Sequence, residues 1–110
     1  MTQSPTVICL YRVRAGNEAE FTKLLERHWP TLRELGLVTE QKPTHYRGEE
    51  KADEPLFVEI FQWRSESSSE SAHQHPEVMA IWEPMDKLTE ARKGKPNMEF
   101  PHVQPLSVLG

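Results

Sequence analysis

The run Thr6–Arg14 places Val7, Cys9, Tyr11 and Val13 on one face of an extended chain and Ile8, Leu10, Arg12 and Arg14 on the other, which predicts a strand. After Ala15-Gly16, Asn17 with Glu20 has the form of an N-cap and its reciprocal partner. Phe21, Leu24, Leu25, His28, Leu32 and Leu35 then recur at helical spacing, with Glu18, Lys23, Glu26 and Arg33 largely off the stripe, so a helix with one core-facing side is expected. Pro30 inside it predicts a kink or short break near Trp29, and Gly36 before Leu37 reads as a left-handed C-cap. Val38–Arg47 is a more polar strand whose Pro43 assigns it to an edge or bulge, and Gly48–Pro55 is a charged turn. The clearest strand is Leu56–Arg64: Leu56, Val58 and Ile60 share one face, and Phe57, Phe61 and Trp63 share the other with Glu59. A Ser-rich loop enters a short helix. Pro76 opens a second main helix with Val78, Trp82, Met85 and Leu88 on its stripe, interrupted by Pro84 and ended by Gly94 and Pro96. Asn97–Val108 carries Met98, Phe100, Val103 and Leu106 among prolines and reads as a terminal edge strand.

The order strand, helix, strand, strand, helix, strand is the split, doubled unit of an α+β ferredoxin-like fold: a four-stranded antiparallel sheet with two helices on one face. Two helices cover one side of such a sheet, yet the first and third strands are apolar on both sides. The uncovered side is expected to pack against a second copy, giving a homodimer.

Composition narrows the function. A length of 110 residues fits one domain spanning 1–110. A net charge of -4 leaves no basic stripe for phosphates, so nucleic acid is not expected as a partner. No apolar run approaches the ~20 residues of a membrane span. A single Cys allows no internal disulfide, and the Met1–Pro5 stretch lacks the basic and apolar regions of a signal peptide, so a cytoplasmic protein is expected.

Two stretches carry a resemblance. Val13-Arg14-Ala15-Gly16-Asn17-Glu18-Ala19-Glu20-Phe21, a strand end, Gly turn and helix with an early Phe, resembles the opening of the dimeric α/β-barrel superfamily that includes the antibiotic-biosynthesis-monooxygenase-like proteins. Glu59-Ile60-Phe61-Gln62-Trp63-Arg64-Ser65-Glu66, then Ala72-His73, is similar to that group's aromatic strand, Trp-x-Ser-x turn and Ala-His pair. The resemblance implies dimerisation through the open sheet face into an α/β barrel. It also implies cofactor-independent monooxygenase-like chemistry on a small aromatic or polyketide-like molecule, in which deprotonation makes an anion that itself reduces dioxygen. A haem-degrading role is not expected, because the first strand has no Asn and no His lies between His75 and His102.

The candidate proton acceptors are Glu59 and His73, with Tyr11, Phe61 and Trp63 as walls and His75 and Trp82 as further substrate contacts. A carboxylate inside an aromatic series must reach solvent or find a partner such as Arg12, Arg47 or His45, and burial would raise its pKa. His73-Gln74-His75 with His45 or His102 invites a metal reading, but the pair diverges on a helix within a polar segment, so solvated histidines and no metal or other cofactor are expected. Cys9 in its apolar strand reads as an inert hydrophobe. Three readings stay open: this enzyme, a dimeric module that binds a small aromatic ligand without turnover, and a structural dimer with no ligand.

Overall fold

The computed structural model describes residues 4–109, so Met1–Gln3 of the stretch read for a signal peptide lie outside the described residues. Strand β1 (Thr6–Arg12) leads to helix α1 (Glu18–Glu34), then β2 (Thr44–Glu49), β3 (Pro55–Gln62), a short α2 (Ser68–Ala72), α3 (Pro76–Lys87), β4 (Met98–Glu99) and β5 (His102–Val103). The antiparallel sheet runs β2-β3-β1-β4, with β5 also paired to β1, which is the strand order of the expected ferredoxin-like fold. The register sets Tyr11 opposite Phe57, Cys9 opposite Glu59 and His45 opposite Glu59.

Side chains alternate as the pattern predicts. Val7, Cys9 and Tyr11 of β1 and Phe57, Glu59 and Phe61 of β3 are buried, and they share the core with Phe21, Leu24, Leu25 and Leu32 of α1 and Val78, Ile81 and Met85 of α3. Each such aliphatic or aromatic side chain contributes about 2 kcal/mol of burial. Ile8, Leu10, Leu56, Val58 and Ile60 face away and are only half-buried, and Tyr46 beside them is 59% exposed.

Several boundaries differ from the expectations, each for a backbone reason. Helix α1 is assigned unbroken through Pro30; the carbonyl deprived of a partner belongs to exposed Glu26, where water can satisfy it. Asn17 makes no side-chain capping bond, and the Glu18 carboxylate instead accepts the Gly16 N–H at 2.6 Å. Strand β2 begins only at Thr44, after Pro43, while Val38 makes a single bridge to Trp63. The second main helix ends at Lys87, because Thr89 Oγ1 donates to Met85 O and the Leu88 carbonyl is taken by Arg14 N–H. The terminal strand is broken into β4 and β5 around Pro101.

Gly36 fulfils its expected role. Its φ is +74°, its N–H donates to Arg33 O, and Leu37 N–H reaches back to Leu32 O, closing α1 and burying Leu37. No atom outside its chain neighbours lies within 4 Å of a Cβ placed there, so Gly36→Ala costs only backbone strain. Urea unfolding should show a loss of about 1 kcal/mol with an unchanged m-value.

Candidate active site

Two breaks in otherwise apolar faces meet in the interior. His28 interrupts the stripe of α1, Glu59 interrupts the aromatic series of β3, and both are essentially inaccessible to solvent. Glu59 Oε1 accepts hydrogen bonds from His28 Nδ1 and from the Tyr11 hydroxyl, both at 2.8 Å. Its Oε2 accepts one from His45 Nε2 at 2.9 Å, and His45 is the one member of the group that reaches solvent. Of the partners foreseen for Glu59, only His45 serves. Arg12 belongs to the opposite sheet face and pairs with Glu50 and Glu99, and Arg47 lies over the Phe57 ring.

Burial did not raise the Glu59 pKa as expected. Burial alone pushes the carboxyl up, but electrostatic attraction to His28, with hydrogen bonds from His28, His45 and Tyr11, outweighs it and holds the group at about 2. The charge is returned to its neighbours. His45 is raised from its ordinary value, chiefly by its bond to Glu59. Burial first, and the Glu59 charge second, push the Tyr11 phenol and the Cys9 thiol well up, so both remain protonated.

In front of this group, between the sheet and the helices, is a cavity of about 350 Å³. Tyr11, Phe61, Trp63, Trp82 and Phe100 supply its aromatic walls, and Cys9, Met85 and Met98 complete the apolar lining. Its polar groups come from His28, Ser69, His73 and His102. Trp63 Nε1 is buried without a hydrogen-bond partner, which leaves an unused donor on a wall residue. His73 is exposed; its Nδ1–H donates to Ser69 O at 3.0 Å, which leaves Nε2 as the ring's acceptor, and the ring packs edge-on against Trp82 at 4.9 Å.

Tyr11, Phe61, Trp63, His73 and Trp82 all line this one cavity. Glu59 is not among the lining residues; it stands behind Tyr11 and His28, whose backs it holds. His75 is also absent from the lining, half-exposed at the N-cap of α3, two helical turns and so about 10 Å along the axis before Trp82. Among the described residues, no three of His, Cys, Asp and Glu converge as ligands of one metal ion would. His28 was read only as part of a core stripe. The available signal was the pairing of two violations, an imidazole in one apolar face and a carboxylate in the other.

No protein-family model matches the chain, and no curated protein sequence matches it. Among solved structures, SnoaB, a cofactor-independent oxygenase from Streptomyces nogalater, superposes with a TM-score of 0.71 at 17% identity over 96% of each chain. Rv0793 from Mycobacterium tuberculosis gives 0.65 at 15% identity, over 98% of this chain and 100% of that one. A dimeric ferredoxin-like protein of unknown function from Jannaschia sp. CCS1 gives 0.63 at 11% identity, over 91% and 99%. What such distant sequences share is architecture, and strand order, helix placement and full-length superposition agree that the chain is an α+β domain of the ferredoxin-like fold.

Proposed function

We propose that the protein is a cofactor-independent oxygenase of the antibiotic-biosynthesis-monooxygenase-like kind, acting on a small hydroxylated aromatic or polyketide-like molecule. The observation that carries this reading is the cavity: about 350 Å³, walled by aromatic rings, with a few polar groups converging on it. That volume and lining suit a molecule of two or three fused rings. The full-length likeness to an oxygenase that needs no cofactor supports the reading.

Substrate lies with its ring plane against the aromatic walls, among them Trp63 and Trp82. Loss of the phenolic proton makes the ring electron-rich, and electrons pass from it to dioxygen. One oxygen atom stays on the ring carbon as a carbonyl; the other leaves as water with the hydrogens of the C–H and O–H bonds. The protein's part is to take a proton, exclude water and hold the ring. His73 handles protons at the mouth of the cavity, and Glu59 acts at one remove, through the residues it holds.

The open face of the sheet, with Val58 and Ile60 near its centre, seats a second copy, so the working unit is a homodimer. It works in the cytoplasm, in keeping with the lone Cys9, and binds neither nucleic acid nor membrane; no helix among the described residues is long and apolar enough to cross a bilayer.

Dioxygen uptake by the purified protein with a panel of hydroxylated naphthalenes, anthrones and tetracyclic phenols, with no cofactor added and a chelator present, tests the reading. Uptake should match quinone formed mole for mole and fall in Trp63→Phe, which shortens one wall of the cavity. Tight binding across the panel with no uptake would favour a binding module instead, a reading to which the complete pairing of Glu59 within the protein lends weight.

A further inference from the structure

His28 reaches the cavity wall with both ring nitrogens engaged. Nδ1 lies 2.8 Å from Glu59 Oε1, and Nε2 lies 2.8 Å from the indole nitrogen of Trp82. An indole nitrogen only donates, so Nε2 is the acceptor and the ring's proton sits on Nδ1, facing the carboxylate. A carboxylate that fixes one tautomer of a histidine and offers its other nitrogen as a base is the orienting pair of many hydrolytic sites. Resting on the oxygenase reading above, we propose that His28 takes the substrate's hydroxyl proton, that Glu59 is the positioning residue that fixes its tautomer, and that the Trp82 indole N–H covers Nε2 until the substrate's hydroxyl displaces it.

Each alternative acceptor is less well placed. Glu59 is separated from the cavity by Tyr11 and His28, and both its oxygens already accept bonds. Tyr11 donates its hydroxyl proton to Glu59 and is held in its protonated form. His73 stands exposed at the mouth, where water competes for Nε2, whereas His28 is 2% exposed. The transfer balances: the substrate's O–H bond breaks, a bond from that hydrogen to His28 Nε2 forms, and the imidazolium charge is met by the Glu59 carboxylate already bonded to Nδ1. The phenolate oxygen is left beside the Trp82 N–H that has just been displaced, a neutral donor suited to an oxyanion in a dry site. His73, packed edge-on against Trp82, steadies this cover from the solvent side.

Two measurements test the proposal. In protein labelled with ¹⁵N at histidine, the His28 ring should carry its proton on Nδ1, and Trp82→Phe should move the Nε2 resonance while leaving Nδ1 protonated. A ring protonated on Nε2 would overturn the proposal without any substrate. The second uses 4-nitrophenol, added below its own pKa, with its phenolate absorption as readout. Wild type should bind it as the phenolate, and His28→Gln should lose at least tenfold of that signal at saturation. His73→Gln should weaken binding but leave the bound fraction ionised. If His28→Gln fails to fold, Glu59→Gln is the substitute, and it should reduce the ionised fraction because the imidazolium formed on proton transfer no longer has a carboxylate charge beside it. A phenolate signal that survives in His28→Gln and vanishes in His73→Gln overturns the assignment. Failure of wild type to bind the phenol at all removes the ligand-cavity reading beneath it, and with it the catalytic role, while the ring-nitrogen result still decides the tautomer.

Discussion

Glu59→Leu is expected to lower stability by about 3–5 kcal/mol and the thermal midpoint by roughly 12–25 °C, whereas Glu59→Gln should cost about 1–2 kcal/mol. Leucine nearly matches the volume but strands the His28 Nδ1–H and the Tyr11 hydroxyl in an interior with no acceptor, and each stranded donor carries its full desolvation penalty. His45 adds little, since it is partly exposed and turns to water. Glutamine retains an acceptor oxygen for the Oε1 partners and loses the charge and the acceptor that Oε2 offers His45. A Glu59→Leu protein within 1 kcal/mol of wild type, by urea unfolding with an unchanged m-value, would mean that the network relaxes without its centre.

The same network fixes how stability depends on pH. The Glu59 carboxyl is lowered from 4.5 to about 2, so its contribution is complete above its unfolded value and is lost as pH falls from there toward 2. His45 is raised above 6.5, so its contribution is complete below its unfolded value and is lost as pH climbs through the higher folded one. Wild type should therefore be most stable between about pH 5 and 6.5. Glu59→Gln should flatten both limbs, because both depend on one negative charge; His45→Gln should flatten the alkaline limb alone.

Glu59 also marks the limit of what could be read from the chain. Alternation placed it on the aromatic face of β3, and helical spacing placed His28 on the core face of α1, and both placements hold in the structure. That these two residues meet, 31 positions apart in sequence, depends on how α1 lies across the sheet, and no local period encodes the crossing. The sign of the Glu59 shift turned on the same point: burial is legible from pattern, but the donors supplied by α1, β1 and β2 are a tertiary fact. Boundaries were misread where a proline or a side-chain hydrogen bond competes with the period, at Pro43, Thr89 and Pro101. Gly36 was legible because a left-handed cap is a local requirement. Trp82 was read as core and substrate contact; only the placement of α3 beside α1 brings its indole nitrogen to His28.

Val58→Lys is expected to convert the proposed dimer to a monomer at micromolar concentration while leaving the fold intact. Val58 lies on the central strand β3, paired with Leu10 of β1 on one side and Tyr46 of β2 on the other, so it stands in the middle of the face the helices do not cover. Ile8, Leu10, Leu56 and Ile60 surround it, all half-buried in the single chain, an apolar area of the kind soluble monomers rarely leave uncovered. A lysine in the middle of a packed interface must be desolvated, and its symmetry mate brings a second like charge to the same axis, a combined penalty of several kcal/mol. The substitution leaves the other face alone: Glu59, Phe57 and Phe61 point toward the helices, so far-ultraviolet circular dichroism and the His28 ring resonances should match wild type. Light scattering on a sizing column reads the result. Wild type should elute at twice the chain mass and Val58→Lys at the chain mass, whereas Arg33→Ala, on the exposed side of α1, should stay dimeric. A wild-type monomer at tens of micromolar would refute sheet-to-sheet pairing, and the half-buried β1 and β3 side chains would then need another cover. The exposed tail bearing Leu106, Val108 and Leu109 would be the first to examine.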